Sequence, residues 1–366
     1  MPIEIQSWTA RGRFFVQIAL RERYFLMALL VGFLLCGMFY DTPSVAMWLG
    51  FVLASYSAVA NDSIQTLGTF IASNRERPWW QLWAWVGGIF LLTVFYSWWT
   101  YSGDVSYGRL ASKGFDQAPT GFHFLQISAP LFLIILTRLR MPVSTTFLLL
   151  GVFAATGKSL GSVITKSISG YAIAFVCAIL LWSALGPWMK RRFTGQPARW
   201  WRPAQWVTTG VLWSVWLQQD ASNIAVFLPR SLSAVELIAF AGVIFTGLGI
   251  LLYLGGEKIQ EVVDEKADVV DVRMATIIDL LYAVILYVFK IYSKVPMSTT
   301  WVFVGLLAGR EIAMAWRKAS SEERTVGYAA SLVGRDLLFV VIGFVLSLIM
   351  ASVINPTIAR GLFAGG

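Results

Sequence analysis

RMPVSTT at 140–146 and KVPMSTT at 294–300 are the stretches on which the reading of this chain turns. Each sets a basic residue two places before a proline, followed by one apolar residue, a serine and two threonines. Each also has a glycine seven residues beyond its serine, Gly151 and Gly305. Pro142 and Pro296 disfavour helix in the residue before them and suit the first turn of a helix that follows. Serine and threonine at such a start can cap exposed backbone N–H groups. Each copy is therefore predicted to open a half-helix in a broken span, with hydroxyls and N–H groups at its positive end. Inside a membrane protein that end is a ready anion site. Two such ends near the midplane would enclose a tetrahedral oxyanion between Ser144, Thr145, Thr146, Ser298, Thr299 and Thr300. The plainer alternative is a pair of kinks whose hydroxyls bond back to their own helices. Two copies in register argue against it.

The surroundings make the membrane the solvent. Of 366 residues, 57% are hydrophobic and 13% charged, where a soluble domain carries about 25% charged residues. Apolar runs recur at 24–40, 79–99, 122–136, 168–188, 206–217, 237–254, 274–289 and 337–353. A span needs about 20 apolar residues. Tryptophan pairs at 79–80, 98–99 and 200–201 suit the headgroup level. The expected class is an all-α polytopic membrane protein, sited in a bacterial cytoplasmic (inner) membrane with lipid as its surroundings. The net charge of +9 then marks cytoplasmic loops and not a nucleic-acid partner. Met1–Glu22 is amphipathic and leads into an uncleaved first span. Cys36 and Cys177 lie in separate apolar runs and support neither a disulfide framework nor a metal site. His123 is the only histidine, which excludes a triad or a histidine metal cluster. No phosphate-binding Gly-x-x-x-x-Gly-Lys-Ser/Thr loop is present.

The basic linker KRRFTGQPARWWRP, 190–203, nearly bisects the chain. ANDSIQ (60–65) precedes the first Pro-x-Ser-Thr-Thr copy and QQDASN (218–223) the second. Their aspartates are 158 residues apart and the two serines 154 apart. Two motifs in one order at matched spacing predict two repeats. The expected division is 1–43 (amphipathic segment and extra helix), 44–188 (repeat 1), 189–205 (cytoplasmic linker), 206–354 (repeat 2) and 355–366 (tail). A basic N-terminus and a basic linker on one side imply an odd number of crossings per repeat. The repeats are then inverted, with broken or re-entrant helices, a common transporter plan.

A carboxylate in hydrocarbon costs about 2.5–3.5 kcal/mol even on the lenient insertion scale, and marks a functional site by default. Asp62 and Asp220 each sit beside a carboxamide (Asn61, Gln219) with another three residues on (Gln65, Asn223). These hard oxygen ligands suit Na+; alternatively the acids carry a proton and hydrogen-bond the anion, or cap an unwound helix end. Asp279, Glu236 and Asp336 lack repeat partners. Asp279 is the most interior, either a relay or a structural hydrogen-bonder. Lys158 either attracts the anion or snorkels. The mixed-charge run 255–273 reads as a solvated loop or surface helix.

VANDSIQTLGT (59–69) with PVSTTF (142–147), and LQQDASNIAV (217–226) with PMSTTW (296–301), resemble the inorganic phosphate transporter (PiT) family. The resemblance covers roughly 44–354 and includes LLYLGGEKIQEVV (251–263). It implies two inverted repeats, aspartates and amides that bind Na+ and anion, and Ser-Thr-Thr clusters that cradle the oxyanion. Departures are Phe147 and Trp301 where the family has histidine, the altered amides Gln65 and Gln219, and the additional span 24–40. The resulting expectation is a secondary-active, non-enzymatic symporter of an inorganic oxyanion, phosphate first, coupled to Na+ or H+. No cofactor is expected beyond Na+ as the coupling ion, and a homodimer is one oligomeric option. The rivals are the same fold moving sulfate or another small solute, and a membrane enzyme using Asp62 and Asp220 as an acid–base pair.

Overall fold

The computed structural model describes residues 22–111, 115–139, 141, 143–154, 157–254, 271–292, 298–317 and 326–358. Pro142, Pro296, the segment 1–21 and most of the run 255–273 lie outside the described residues, as does the Lys158 side chain. Every regular element among the described residues is helical. That is what lipid demands, since a helix satisfies its backbone groups within one segment.

The first part contains α1 (Arg23–Phe39), α2 (Pro43–Ala58), a π-helical turn (Val59–Ser63), α3 (Ile64–Ser73), α4 (Trp79–Thr100) and α5 (Phe124–Arg138). A π turn (Thr146–Leu150), a 3-10 turn (Gly151–Phe153) and α6 (Gly157–Arg192) follow. The second part contains α7 (Trp201–Ala225), α8 (Ala234–Tyr253), α9 (Val272–Tyr292), α10 (Thr299–Trp316) and α11 (Val326–Ile354). Local chemistry sets several starts. Pro43 opens α2 from an extended Thr42. Ser233 and Glu236 form a capping box on α8, and His123 with Gln126 forms one on α5. Exposed His123 and half-buried Glu236 thus serve as caps, outside the polar interior.

Six helices are long and apolar enough to cross a membrane, within Pro43–Asp62, Trp79–Thr100, Val163–Met189, Ala234–Tyr253, Val272–Phe289 and Val326–Ile354. The chain is built as a multi-pass membrane protein. The run at 206–217 belongs to the longer α7, which carries Asp220 in its last turns. Helix enters the basic linker from both sides, leaving 193–200 between α6 and α7.

The two Ser-Thr-Thr copies behave differently. After Ser144 the chain makes only the turns 146–153 before Ala154 turns extended. Eight helical residues rise about 12 Å, far short of a hydrocarbon core of about 30 Å. After Ser298 the chain runs as the unbroken 18-residue α10. The expected half-helix therefore forms in the first copy, whereas the second opens a full helix. α10 has a continuous support. A Cβ added at Gly305 would lie 2.5 Å from the Tyr171 carbonyl oxygen, and one at Gly309 2.3 Å from that of Phe175. This glycine stripe lets α10 lie backbone to backbone on α6. Reciprocally, the turns 146–153 pack against α11, where Gly343 admits Val143. Each tip is thus held by the last long helix of the other part. α9 pairs with α7, α5 with α2, and α4 with α8 across the middle.

Candidate functional site

Asp62 lies in the π-helical turn 59–63, an extra-residue widening of a helix that frequently marks functional sites. Asp220 lies in the unbroken α7. Different backbones deliver the two acids to one place. Thr145 donates to Asp62 Oδ2 in a short hydrogen bond and lies 3.5 Å from Asp220 Oδ1. One hydroxyl, from the first Ser-Thr-Thr copy, is therefore bracketed by both carboxylates. The second copy mirrors it: Thr299 donates to Asp220 Oδ2 at 2.6 Å, and Thr300 Oγ1 lies 3.4 Å from Asp62 Oδ1. Each threonine pair thus reaches the carboxylate of the other part as well as its own.

The amides complete the network. Asn61 donates to Asp62 Oδ1 at 2.6 Å and to the Val143 carbonyl at 2.7 Å. Asn223 Nδ2 donates to Asp220 Oδ1 in a short bond and lies 3.1 Å from each of the Thr145 and Thr146 hydroxyls, which share its second hydrogen. Both amides spend their nitrogens. Their carbonyl oxygens, Asn61 Oδ1 and Asn223 Oδ1, are buried with no hydrogen-bond partner. An unsatisfied buried acceptor costs about 1–3 kcal/mol, and here there is one beside each aspartate, from the residue before Asp62 and from the residue three beyond Asp220. Asp62, Asp220, Asn223, Thr145, Thr299 and Thr300 are each 1% exposed, so the cluster is buried.

The serines do something else. Ser144 Oγ accepts the Phe147 N–H and Ser298 Oγ the Trp301 N–H, each at 3.2 Å. These are N-caps, as a helix start predicts. Phe147 and Trp301, adjacent to the threonines, meet edge to face at 5.3 Å and both touch Phe344. An aromatic cluster thus joins the two tips.

Of the remaining candidates, Gln65 is buried on α3 and its amide nitrogen has no partner. Gln219 turns away from the carboxylates: Nε2 donates to the Leu286 carbonyl at 2.9 Å, and Oε1 accepts from Arg109 at 2.7 Å. Asp279 accepts from Thr69 at 2.6 Å and from Thr209 in a short bond, which ties α9 to α3 and α7. Tyr282, one turn on, donates to the Thr299 carbonyl at 3.0 Å. Arg109 went unread in the sequence, where SYGRLASKGF is an ordinary polar loop. It is buried, and desolvation pulls its guanidinium down to about 10 while nearby Asp220 opposes the shift. It remains a cation at neutral pH.

No family model and no curated protein matches the chain. A solved structure described as "The sodium-dependent phosphate transporter" superposes with a TM-score of 0.55 over 88% of this chain and 99% of that one. This chain has that transporter's fold. Sequence identity is 17%, so the likeness speaks for architecture, and the chemistry must be argued from this chain's own residues.

Proposed function

We propose that this protein is a divergent PiT-type symporter that carries an inorganic oxyanion, phosphate first, with Na+ as the coupling ion. One observation carries the reading: two buried amide oxygens without partners, each beside a buried carboxylate and a Ser-Thr-Thr helix start. A carboxylate, an amide oxygen and hydroxyls form the hard oxygen set that a small cation takes. Asn61 with Asp62, and Asn223 with Asp220, are the proposed Na+ ligands, and buried Gln65, three residues beyond Asp62, is a further candidate. Gln219 serves Arg109 instead. Ser144, Thr145, Thr146, Ser298, Thr299 and Thr300, at the positive ends of helices, would hold the anion. The carboxylates favour phosphate over sulfate. Phosphate keeps a proton at neutral pH and can donate it to Asp62 or Asp220, whereas sulfate has none to give. The solved sodium-dependent phosphate transporter of like fold supports the same choice.

The reciprocal packing of the tips supports two inverted repeats, 44–188 and 206–354, with the linker 189–205 cytoplasmic. Superposition about an axis in the membrane plane is the expected relation. An enzyme using the two acids is disfavoured, because their neighbours are amides and hydroxyls already committed to them. Uptake of radiolabelled phosphate and sulfate into proteoliposomes, with Na+ and proton gradients imposed separately, tests the proposal. Phosphate accumulation driven by inward Na+ and recovered chemically unchanged supports it. Indifference to Na+, or equal uptake of sulfate, overturns it.

A further inference from the structure

Asp62 and Asp220 place two carboxyl groups in one buried cluster. A charge taken out of water is tolerated when a partner balances it. The structure supplies one partner of its own. Arg109 leaves the loop after α4 and runs inward until its guanidinium meets Gln219 Oε1 at 2.7 Å, on the residue next to Asp220 in α7.

The loop is built for that delivery. Ser102, Gly103, Tyr107 and Gly108 all adopt positive φ, which costs energy at the two non-glycine positions and persists only when surroundings enforce it. Here they do. The Asp104 carboxylate accepts the Ser106 N–H at 2.6 Å and the Gly108 N–H at 2.9 Å. Ser97 donates to the Asp104 carbonyl at 2.7 Å, and Tyr107 donates to the Thr93 carbonyl at 2.6 Å. The start of α8 clamps the other side, with Leu232 N–H on the Gly103 carbonyl at 2.9 Å and Ser231 on the Ser102 carbonyl at 2.8 Å. A Cβ at Gly103 would strike Ser231 Oγ at 2.3 Å. A loop fastened this thoroughly presents Arg109 as a fixed charge and not as a wandering side chain.

We propose that Arg109 is a resident cation of the transport site, supplying, behind the Asp220–Asn223 ligand pair, a positive charge that one further coupling Na+ would otherwise have to bring. The inference rests on the symport reading. It gives the two acids unequal work: Asp62 depends on an imported cation, whereas Asp220 is partly balanced from within. It also accounts for Gln219. The longer amide at this position accepts the guanidinium through its oxygen and anchors itself to α9 through its nitrogen.

The test is the number of Na+ taken up per phosphate, measured with 22Na+ and 32P in proteoliposomes of the full-length protein. Arg109→Gln should raise the ratio by one Na+ and increase the steepness of Na+ activation. Arg109→Lys, which keeps the charge, should leave the ratio at the wild-type value. Gln219→Glu cancels the guanidinium charge with an isosteric change. It should also raise the ratio, and it decides the matter if Arg109→Gln does not fold. Wild-type stoichiometry in whichever of Arg109→Gln and Gln219→Glu folds overturns the inference while leaving symport intact. Failure of the wild-type protein to couple phosphate to Na+ overturns the symport reading first, and the Arg109 proposal with it.

Discussion

Ser298 allows its two possible duties to be separated. Its Oγ accepts the Trp301 N–H at 3.2 Å and so caps α10. That bond uses the oxygen and not the hydroxyl hydrogen, which can still donate to a bound anion. Ser298→Ala removes both and should cost about 1 kcal/mol of stability through the lost cap. Ser298→Gly removes the same hydroxyl, but glycine at an N-cap costs only a few tenths of a kcal/mol. A hydrogen bond to a charged group is worth about 1.5–3 kcal/mol, or roughly ten- to a hundredfold in affinity. If the hydroxyl holds the anion, both variants lose that affinity, although only the alanine variant melts early. Phosphate binding in detergent and thermal unfolding, run on the same preparations, read the two effects separately. Affinity that simply follows stability, lost in alanine and kept in glycine, would refute the anion role and leave Ser298 a cap.

Asp62→Asn should abolish Na+-stimulated uptake, because the amide keeps an oxygen but loses the charge that offsets the cation. If exchange of internal for external anion survives in Asp62→Asn and loses its pH dependence, the coupled ion is a proton instead. Gly305→Ala should destabilise the protein by about 1–3 kcal/mol, since its new methyl meets the Tyr171 carbonyl and backbone yields poorly. Gly151→Ala should be nearly silent, its nearest neighbour being Leu160 Cδ1 at 3.8 Å. Equal melting points for the two variants would contradict the asymmetry of the tips. Thr209→Val leaves the Asp279 carboxylate with one donor fewer and should lower stability by about 1–3 kcal/mol. Unchanged melting would mean that this hydrogen bond contributes nothing.

The sequence made the cluster legible because its parts are rare in hydrocarbon. Asp62, Asp220 and six hydroxyls in two ordered copies are costly to bury, and that cost points to a site. Hydropathy located five of the six long apolar helices, whereas the runs 24–40 and 122–136 fall on shorter helices, Arg23–Phe39 and Phe124–Arg138. What escaped reading depended on geometry that spacing does not encode. Nothing in VANDSIQ announces a π turn, and QQDASN, so similar in composition, stays in regular helix. Arg109 was hidden because its burial arises from a loop folded by backbone hydrogen bonds, and polar loops read as solvated. The serine caps were foreseen as one option. The pairing of Phe147 with Trp301 was not, since contacts between the tips depend on how the two parts dock.

The glycine stripe of α10 has a genetic corollary. Gly305 and Gly309 fit the backbone of α6, just as Val143 fits beside Gly343 of α11. Each portion of the chain therefore supplies the seat for the other's tip. Separate genes for the two portions, divided within 193–200, would encode partners that need each other to close their packing. Either product alone would present a groove shaped for a missing helix. The fold is partitioned in sequence but woven in space, so a change at either seat must stay compatible with the tip that it receives.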